Sequence, residues 1–196
     1  MGAPCYPELP RAMAREKGTT LLHLQAYAEA QFGAAAWQRA LVALTEEERH
    51  TLSSVVAVGW YDTELFLKLL ALVEATAAAP QPDPIERLAV YEAERDLRGI
   101  HRLFLRMANP AFVLEKASEY WSRFHDEGHF VVERPTETSA IGTLRGLSVV
   151  DARYCRYLRG YIRRLLELVG ARGVYIEHTE CRARGAELCR FRGQWQ

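Results

Sequence analysis

The distribution of cysteine is the feature of this sequence that most restricts how it can fold. Three of the four cysteines, Cys155, Cys181 and Cys189, fall in the last quarter of the chain. Cys181 and Cys189 flank a short polar segment with Gly185 at its centre, which is typical of a turn that brings both thiols together. Cys155 lies upstream on an amphipathic run, so its sulfur can join them only if that helix packs on the hairpin. Thiols that converge from two elements indicate a metal site.

Zinc is the ion that such a set of ligands suggests, because structural zinc sites use four Cys or His ligands in a tetrahedron. Glu177, His178 and Glu180 are the candidates for the fourth ligand, and we favour His178 because imidazole completes a Cys3His set. On a regular strand His178 and Cys181 point to opposite faces, whereas Glu177 shares the face of Cys181. His178 is therefore a ligand only if the strand ends or bulges there. The alternative, three unrelated small buried thiols, stays open.

Length and charge exclude several classes of protein. A chain of 196 residues fits one domain. Lys plus Arg equals Asp plus Glu at 25 each, so no global field attracts nucleic acid or an acidic membrane. The sequence shows no signal peptide and no long apolar segment, and its cysteine usage is not that of a secreted disulfide framework. We therefore expect a cytoplasmic protein that binds neither nucleic acid nor membrane.

The hydrophobic pattern predicts an α+β protein in which N-terminal helices pack on a C-terminal antiparallel sheet. Three early prolines predict an extended arm over residues 1–18, followed by a single domain over 19–196. Within it, apolar periodicity and capping residues predict helices over 19–33, 34–44, 63–79, 85–107, 109–125 and 151–169, a short helix after Thr45, and strands over 129–134, 140–146, 174–177 and 188–195.

The sequence contains no phosphate loop, dinucleotide fingerprint or Gly-x-Ser-x-Gly elbow, so we expect that the protein is not an enzyme. Aromatic side chains on two predicted helices could instead line an apolar ligand pocket, with a histidine to orient a polar group. The predicted pocket residues are His101, Phe104, Tyr120, Trp121, Phe124 and His129. An ordinary aromatic core is the alternative.

Haem is not predicted. His101 lies in an apolar helix, and Tyr120, Trp121, Ser122 and Arg123 superficially resemble polar residues of haem nitric-oxide sensors. The Tyr-x-Ser-x-Arg spacing of those sensors is missing, because Ser122 and Arg123 are adjacent. We therefore expect haem to be unlikely and zinc to be the cofactor.

The segment from Glu177 to Phe191, with Cys155 and the helix that follows it, resembles the signature of the 4-vinyl-reductase-like, or hydrocarbon-binding, domain. The resemblance covers residues 115–196 and extends to the sensor domains of phenol- and xylene-responsive regulators, in which the equivalent cysteines and an acidic residue bind zinc. His178 stands here at the acidic position. The family is related to the superfamily of haem-NO-binding domains and TRAPP subunits, which implies the NO-signalling and Golgi-transport ligand-binding fold.

This resemblance implies a zinc-containing sensory module that binds a small hydrophobic or aromatic molecule and signals through a protein partner, as a homodimer. Two alternatives stay open. One is a protein-interaction scaffold that resembles the TRAPP subunits, and the other is an accessory of tetrapyrrole vinyl reduction.

Overall fold

The computed structural model describes residues 14–77, 82–96 and 109–196. These residues form helices and antiparallel strands, which confirms the α+β prediction. The helices are α1 (Gly18–Phe32), α2 (Ala34–Leu41), α3 (Glu46–Ser53), α4 (Thr63–Thr76), α5 (Pro84–Asp96), α6 (Pro110–Glu115), α7 (Ala117–Phe124) and α8 (Ala152–Leu168). The strands are β1 (Arg15–Lys17), β2 (Trp60–Asp62), β3 (His129–Thr136), β4 (Ser139–Arg145), β5 (Tyr175–Glu180) and β6 (Cys189–Gln194).

Four strands form the main sheet in the order β3-β4-β6-β5, and each neighbouring pair is antiparallel. Alternation along β4 shows which face is covered: Ala140, Gly142 and Leu144 are buried, while the residues between them are partly exposed. This period of two gives the sheet one apolar face. β1 and β2 pair separately in a two-stranded ribbon.

Local capping signals set several helix boundaries where the sequence predicts them. Thr45 and Glu48 form a reciprocal capping box at the start of α3. Asp62, Asn109 and Asp151 accept hydrogen bonds from the first turns of α4, α6 and α8. Each cap satisfies a backbone N–H that has no partner within the helix.

The closest helix packing joins α5 to α8. A Cβ atom at Gly160 would lie 3.1 Å from the Ala89 Cβ and 3.2 Å from the Glu86 backbone, so any other residue would force α5 to yield by a few tenths of an ångström. Arginines of α8 reinforce the contact. Arg159 pairs with Glu86, and the Arg164 Nη2 lies 2.7 Å from the Glu94 Oε1.

Three sequence predictions differ from the structure or fall outside it. The helix predicted over 109–125 is two helices, because the chain turns at Lys116 between α6 and α7. Residues 15–17, assigned to an arm, form β1, while residues 1–13 lie outside the described ranges. The predicted helix over 85–107 is seen from Pro84 to Asp96, and residues 97–108 are not described.

None of the helices in the described ranges has the length and apolarity that crossing a bilayer requires.

We predict that Gly160→Ala destabilises the protein by about 1–3 kcal/mol, because the added methyl group overpacks the contact between α5 and α8. An unconstrained helical glycine would show the opposite sign, since Ala is the better helix former by roughly 0.5–1 kcal/mol. Urea unfolding measures the difference. Arg163→Ala on the same helix is the control, with a change of about 0.5 kcal/mol or less expected. A more stable Gly160→Ala variant would contradict the packing described here.

Candidate functional site

The three cysteines of the tail meet between α8, β6 and the turn after β5. The Cys155 Sγ lies 3.6 Å from the Cys189 Sγ and 4.0 Å from the Cys181 Sγ, and all three side chains are buried without forming a disulfide. Two thiolates bound to one zinc-like ion at about 2.3 Å would be separated by about 3.8 Å in a tetrahedron. The distances between these sulfur atoms are therefore close to those between two thiolate ligands of one tetrahedral metal ion.

His178 completes this group, and a strand irregularity explains how it can. The register between β5 and β6 shifts between His178 and Glu180, so the strict alternation that would turn His178 away from Cys181 is broken. The ligand atoms of Cys155, His178, Cys181 and Cys189 all lie within 4.8 Å of one another. The His178 ring stacks on Phe191 at 4.6 Å, and its Nε2 is buried without a hydrogen-bond partner.

The other two candidates for the fourth ligand are placed differently. Glu180 forms an ion pair with Arg190 across the hairpin, and Glu177 is exposed on β5. Neither belongs to the group of ligand atoms around the three sulfurs.

The thiols differ in acidity. Hydrogen bonding to Cys155, together with contacts from His178 and the Arg182 backbone, lowers the pKa of Cys189 to about 4. The adjacent Cys189 sulfur, and then burial, raise the pKa of Cys155.

A second candidate site is a cavity of about 480 Å³ enclosed by α1, α5, α6, α7 and α8. Its volume lies in the range of small-molecule sites. Tyr120, Trp121 and Phe124, predicted from the sequence as pocket residues, line it, whereas His129 is exposed at the start of β3 and is not part of the lining. His101 and Phe104 lie outside the described residues.

The polar end of the cavity was not predicted from the sequence. Thr20 and His23 of α1 and Glu92 and Asp96 of α5 lie there. Glu92 is only 2% exposed. Burial, and then the nearby charge of Asp96, raise its pKa well above the ordinary value. The available signal was the pair of carboxylates four residues apart on an otherwise amphipathic helix, which places both on one face.

His125 forms a different part of the wall. Its ring stacks on Trp121 at 3.8 Å, and its Nδ1 lies 3.1 Å from the Trp121 carbonyl oxygen. Trp121 is itself fixed, because its Nε1 donates a hydrogen bond to the Glu127 carbonyl oxygen at 3.0 Å. Burial lowers the pKa of His125 to about 4, so its imidazole is neutral at pH 7.

No family model and no curated protein matches this chain. Solved structures do. An H-NOX protein from S. oneidensis, a triple mutant in the Fe(II) ligation state, aligns over 92% of this chain and 96% of its own, with a TM-score of 0.71 and 15% identity. The chain has the H-NOX fold.

Other solved structures share this fold. The Fe(II) unliganded H-NOX protein from K. algicida aligns over 92% of this chain and 96% of its own, with a TM-score of 0.70 and 15% identity. A structure titled for haem redox potential and porphyrin distortion aligns over 91% of this chain and 99% of its own, with a TM-score of 0.65 and 10% identity. The resemblance to the haem-NO-binding superfamily is therefore confirmed at the level of the fold.

The expectation about the cofactor, zinc with haem unlikely, is wrong. It depended on the missing Tyr-x-Ser-x-Arg spacing, but the fold across nine-tenths of the chain is shared with structures solved to study haem distortion. A local motif tests only one arrangement of polar residues, whereas a cofactor cavity is built by helices that are distant in sequence.

We predict that His125 makes the protein less stable at acid pH. Its pKa is lowered in the folded state from 6.5 to about 4, so its contribution to stability is present above about pH 6.5 and is lost as the pH falls towards 4. A shift of this size on a half-buried ring corresponds to about 1–3 kcal/mol.

His125→Phe, which preserves a ring against Trp121, should lose less stability than the wild type between pH 6.5 and pH 4. Urea unfolding across this interval is the measurement. His129→Gln serves as the control, because His129 is exposed. Equal losses of unfolding free energy in the wild type and His125→Phe between pH 6.5 and pH 4 would show that the His125 imidazole does not cause the loss of stability at acid pH.

Proposed function

We propose that this protein is a sensory domain whose cavity binds a small molecule and whose occupancy is communicated to a partner protein. The cavity itself is the observation that supports this proposal. It has about 480 Å³ of space, a largely aromatic and aliphatic wall and a few polar groups gathered at one end. That combination is typical of a ligand site rather than of a packed core.

Haem is the first candidate ligand, because structures with this fold were solved to study haem distortion. The residues of the cavity are compatible with it. The wall is apolar, and His125 supplies an imidazole of the kind that ligates haem iron. Bound haem would supply an iron centre for a further small ligand.

The chain's own residues would orient such a macrocycle. Trp121 and Tyr157 offer ring faces. Glu92 and Asp96 would repel the propionates from their end of the cavity. Arg95, which lies in the same lining and stacks over the Tyr91 ring at 4.3 Å, is a cation on which a propionate could dock.

A hydrophobic or aromatic organic molecule is the second candidate. Seven aromatic side chains line the cavity from α6, α7, α8 and β3, namely Phe112, Tyr120, Trp121, Phe124, Phe130, Tyr157 and Tyr161. Flat apolar ligands gain both buried area and ring contacts from such a wall. The resemblance of the tail to the hydrocarbon-binding domain supports this candidate.

We predict that Ala117→Trp, which places a large ring in the cavity from the start of α7, weakens haemin binding at least 10-fold by occupying the space that the ligand needs. The absorbance change on adding haemin to the purified protein measures the affinity. Ser122→Trp is the matched control, since Ser122 is exposed on the same helix. Equal binding by both variants would show that haemin attaches to the surface, and the proposal would then have to be tested with an aromatic probe.

We also propose that Cys155, His178, Cys181 and Cys189 bind one thiophilic divalent ion. The sulfur separations and the unpartnered Nε2 of His178 support this site. In the folded protein the ion would neutralise the thiolate charge and hold the tail on α8. Because the ligands come from α8, β5 and β6, metal binding and the folding of the tail would be coupled.

We predict that titration with Co²⁺ gives one ion per chain, with the absorption bands of tetrahedral thiolate coordination. Cys181→Ser should lose these bands and lower the stability of the protein, because one thiolate ligand is removed from a closed site. Cys5→Ser, outside the described residues, controls for thiol content. Unchanged cobalt spectra in Cys181→Ser would refute the site.

α8 is the route by which we propose that the signal leaves the cavity. It carries Cys155 into the cysteine cluster, and on the same helix Tyr157, Leu158 and Tyr161 line the cavity. A partner, in the simplest case a second copy of the chain, would detect the position of this helix or of the tail attached to it. A cytoplasmic location remains part of the proposal. The scaffold alternative predicts association that does not change when the cavity is filled.

A further inference from the structure

The polar end of the cavity contains a group of side chains that neither candidate ligand explains. His23 on α1, and Glu92 and Asp96 one turn apart on α5, each place a nitrogen or oxygen atom within 4.8 Å of the other two. The cysteine cluster lies elsewhere and shares no residue with this group.

Two atoms of this group are buried without a hydrogen-bond partner. The Nδ1 of His23 and the Oε2 of Glu92 are both in this state, and Glu92 as a whole is only 2% exposed. A buried carboxylate oxygen without a partner is costly. The Oε2 of Glu92 is therefore a buried acceptor that a ligand at this end of the cavity could bind.

The geometry of His23 and Asp96 points to a cation. Their Nδ1 and Oδ1 atoms are 3.3 Å apart, yet the Nδ1 makes no hydrogen bond. Two ligands of one ion, each about 2.0–2.2 Å from it, are separated by about 3–3.4 Å while their lone pairs converge on the ion and not on each other. Tyr161 donates a hydrogen bond to the other oxygen of Asp96, at 2.8 Å, as second-layer groups orient the carboxylate ligands of metals.

Charge leads to the same conclusion. In the described part of the chain, neither Glu92 nor Asp96 forms an ion pair with a lysine or an arginine; the nearest basic partner is His23. A single divalent ion would balance the two carboxylates, and the imidazole of His23 would add a nitrogen ligand. This mixture of oxygen and nitrogen ligands suits hard or borderline ions of the manganese and ferrous class, whereas the cysteine cluster suits thiophilic ones.

We propose that His23, Glu92 and Asp96 form a second metal site, which binds one divalent cation of the manganese or ferrous class and turns its open coordination positions towards the cavity. An ion with only three protein ligands keeps positions for water or for an oxygen-bearing ligand. The site goes beyond the sensory function proposed above and does not depend on it, because α1 and α5 alone supply the ligands.

Titration with Mn²⁺, followed by loss of the electron paramagnetic resonance signal of the free ion, tests the site on the full chain. We expect one Mn²⁺ per wild-type chain, and binding at least 10-fold weaker in Glu92→Gln and in Asp96→Asn. Glu94→Gln is the matched control: it removes the same charge from the same helix, outside the group, and should bind Mn²⁺ like the wild type. Cys181→Ser should also bind Mn²⁺ like the wild type, because its thiol belongs to the other cluster.

The metal site and the sensory function can be tested independently of each other. Ala117→Trp should bind Mn²⁺ normally even where it no longer binds haemin, so failure of the cavity ligand leaves the metal test intact. If Glu92→Gln does not fold, Asp96→Asn, at the edge of the cavity, carries the comparison.

Any of three Mn²⁺ results would overturn the proposal: no Mn²⁺ bound by the wild type, equal weakening of binding in Glu94→Gln, or full binding in both Glu92→Gln and Asp96→Asn. The proposal would also fail if n-octylammonium competed with Mn²⁺ and its binding were lost in Glu92→Gln, since the carboxylates would then hold an organic cation.

Discussion

The contact between α5 and α8 is the constraint on which the rest of this structure depends. Gly160 lets the two helices approach to a distance at which a Cβ atom would lie only 3.1–3.2 Å from α5. The approach fixes Glu92 and Asp96 of α5 opposite Tyr157 and Tyr161 of α8 and so forms the polar end of the cavity. It also sets the position of Cys155, and hence the place where the tail must fold back. One helix pair thus determines both candidate sites.

The electrostatics of this pair differ between its outer and inner sides. Outside, arginines of α8 form ion pairs with carboxylates, as in the pair of Arg164 with Glu94. The side chains of these arginines are only about one-third exposed and contact other helices. Inside, Glu92 has no such cation among the described residues. A helix pair neutralised on one side and left acidic on the other is suited to receive a positively charged group.

The features that the sequence predicted correctly are those that depend on a few adjacent residues, such as the starts of helices. The capping box of Thr45 and Glu48 and the Asn109-Pro110 start of α6 depend on a few adjacent residues, so the sequence contains the whole signal. The cysteine spacing likewise limited where the tail could fold. The sequence could place His178 beside the cysteines only on the condition that the strand ends or bulges there, and the register of β5 shifts between His178 and Glu180.

The polar end of the cavity could not be predicted from the sequence, because its residues come from segments that are distant along the chain. His23 and Glu92 are separated by four elements, and neither belongs to a recognisable motif. The predicted pocket residues Tyr120, Trp121 and Phe124 were found because they share one helix. The error about haem has the same origin: adjacent Ser122 and Arg123 break a local spacing, while the fold shared with the H-NOX structures is specified by apolar positions along the whole chain.

The two clusters of metal-ligating side chains are chemically distinct although one helix connects them. Thiolates select soft ions, and paired carboxylates select harder ones, so each cluster could be filled without competing for the metal of the other. α8 contributes Cys155 to the first and orients Asp96 of the second through Tyr161. A ligand that displaced α8 would therefore disturb both clusters together. The tail would have to follow, because the Cys155 sulfur lies against those of Cys181 and Cys189, so in the proposed sensory function the position of the β5-β6 hairpin would report what the cavity contains.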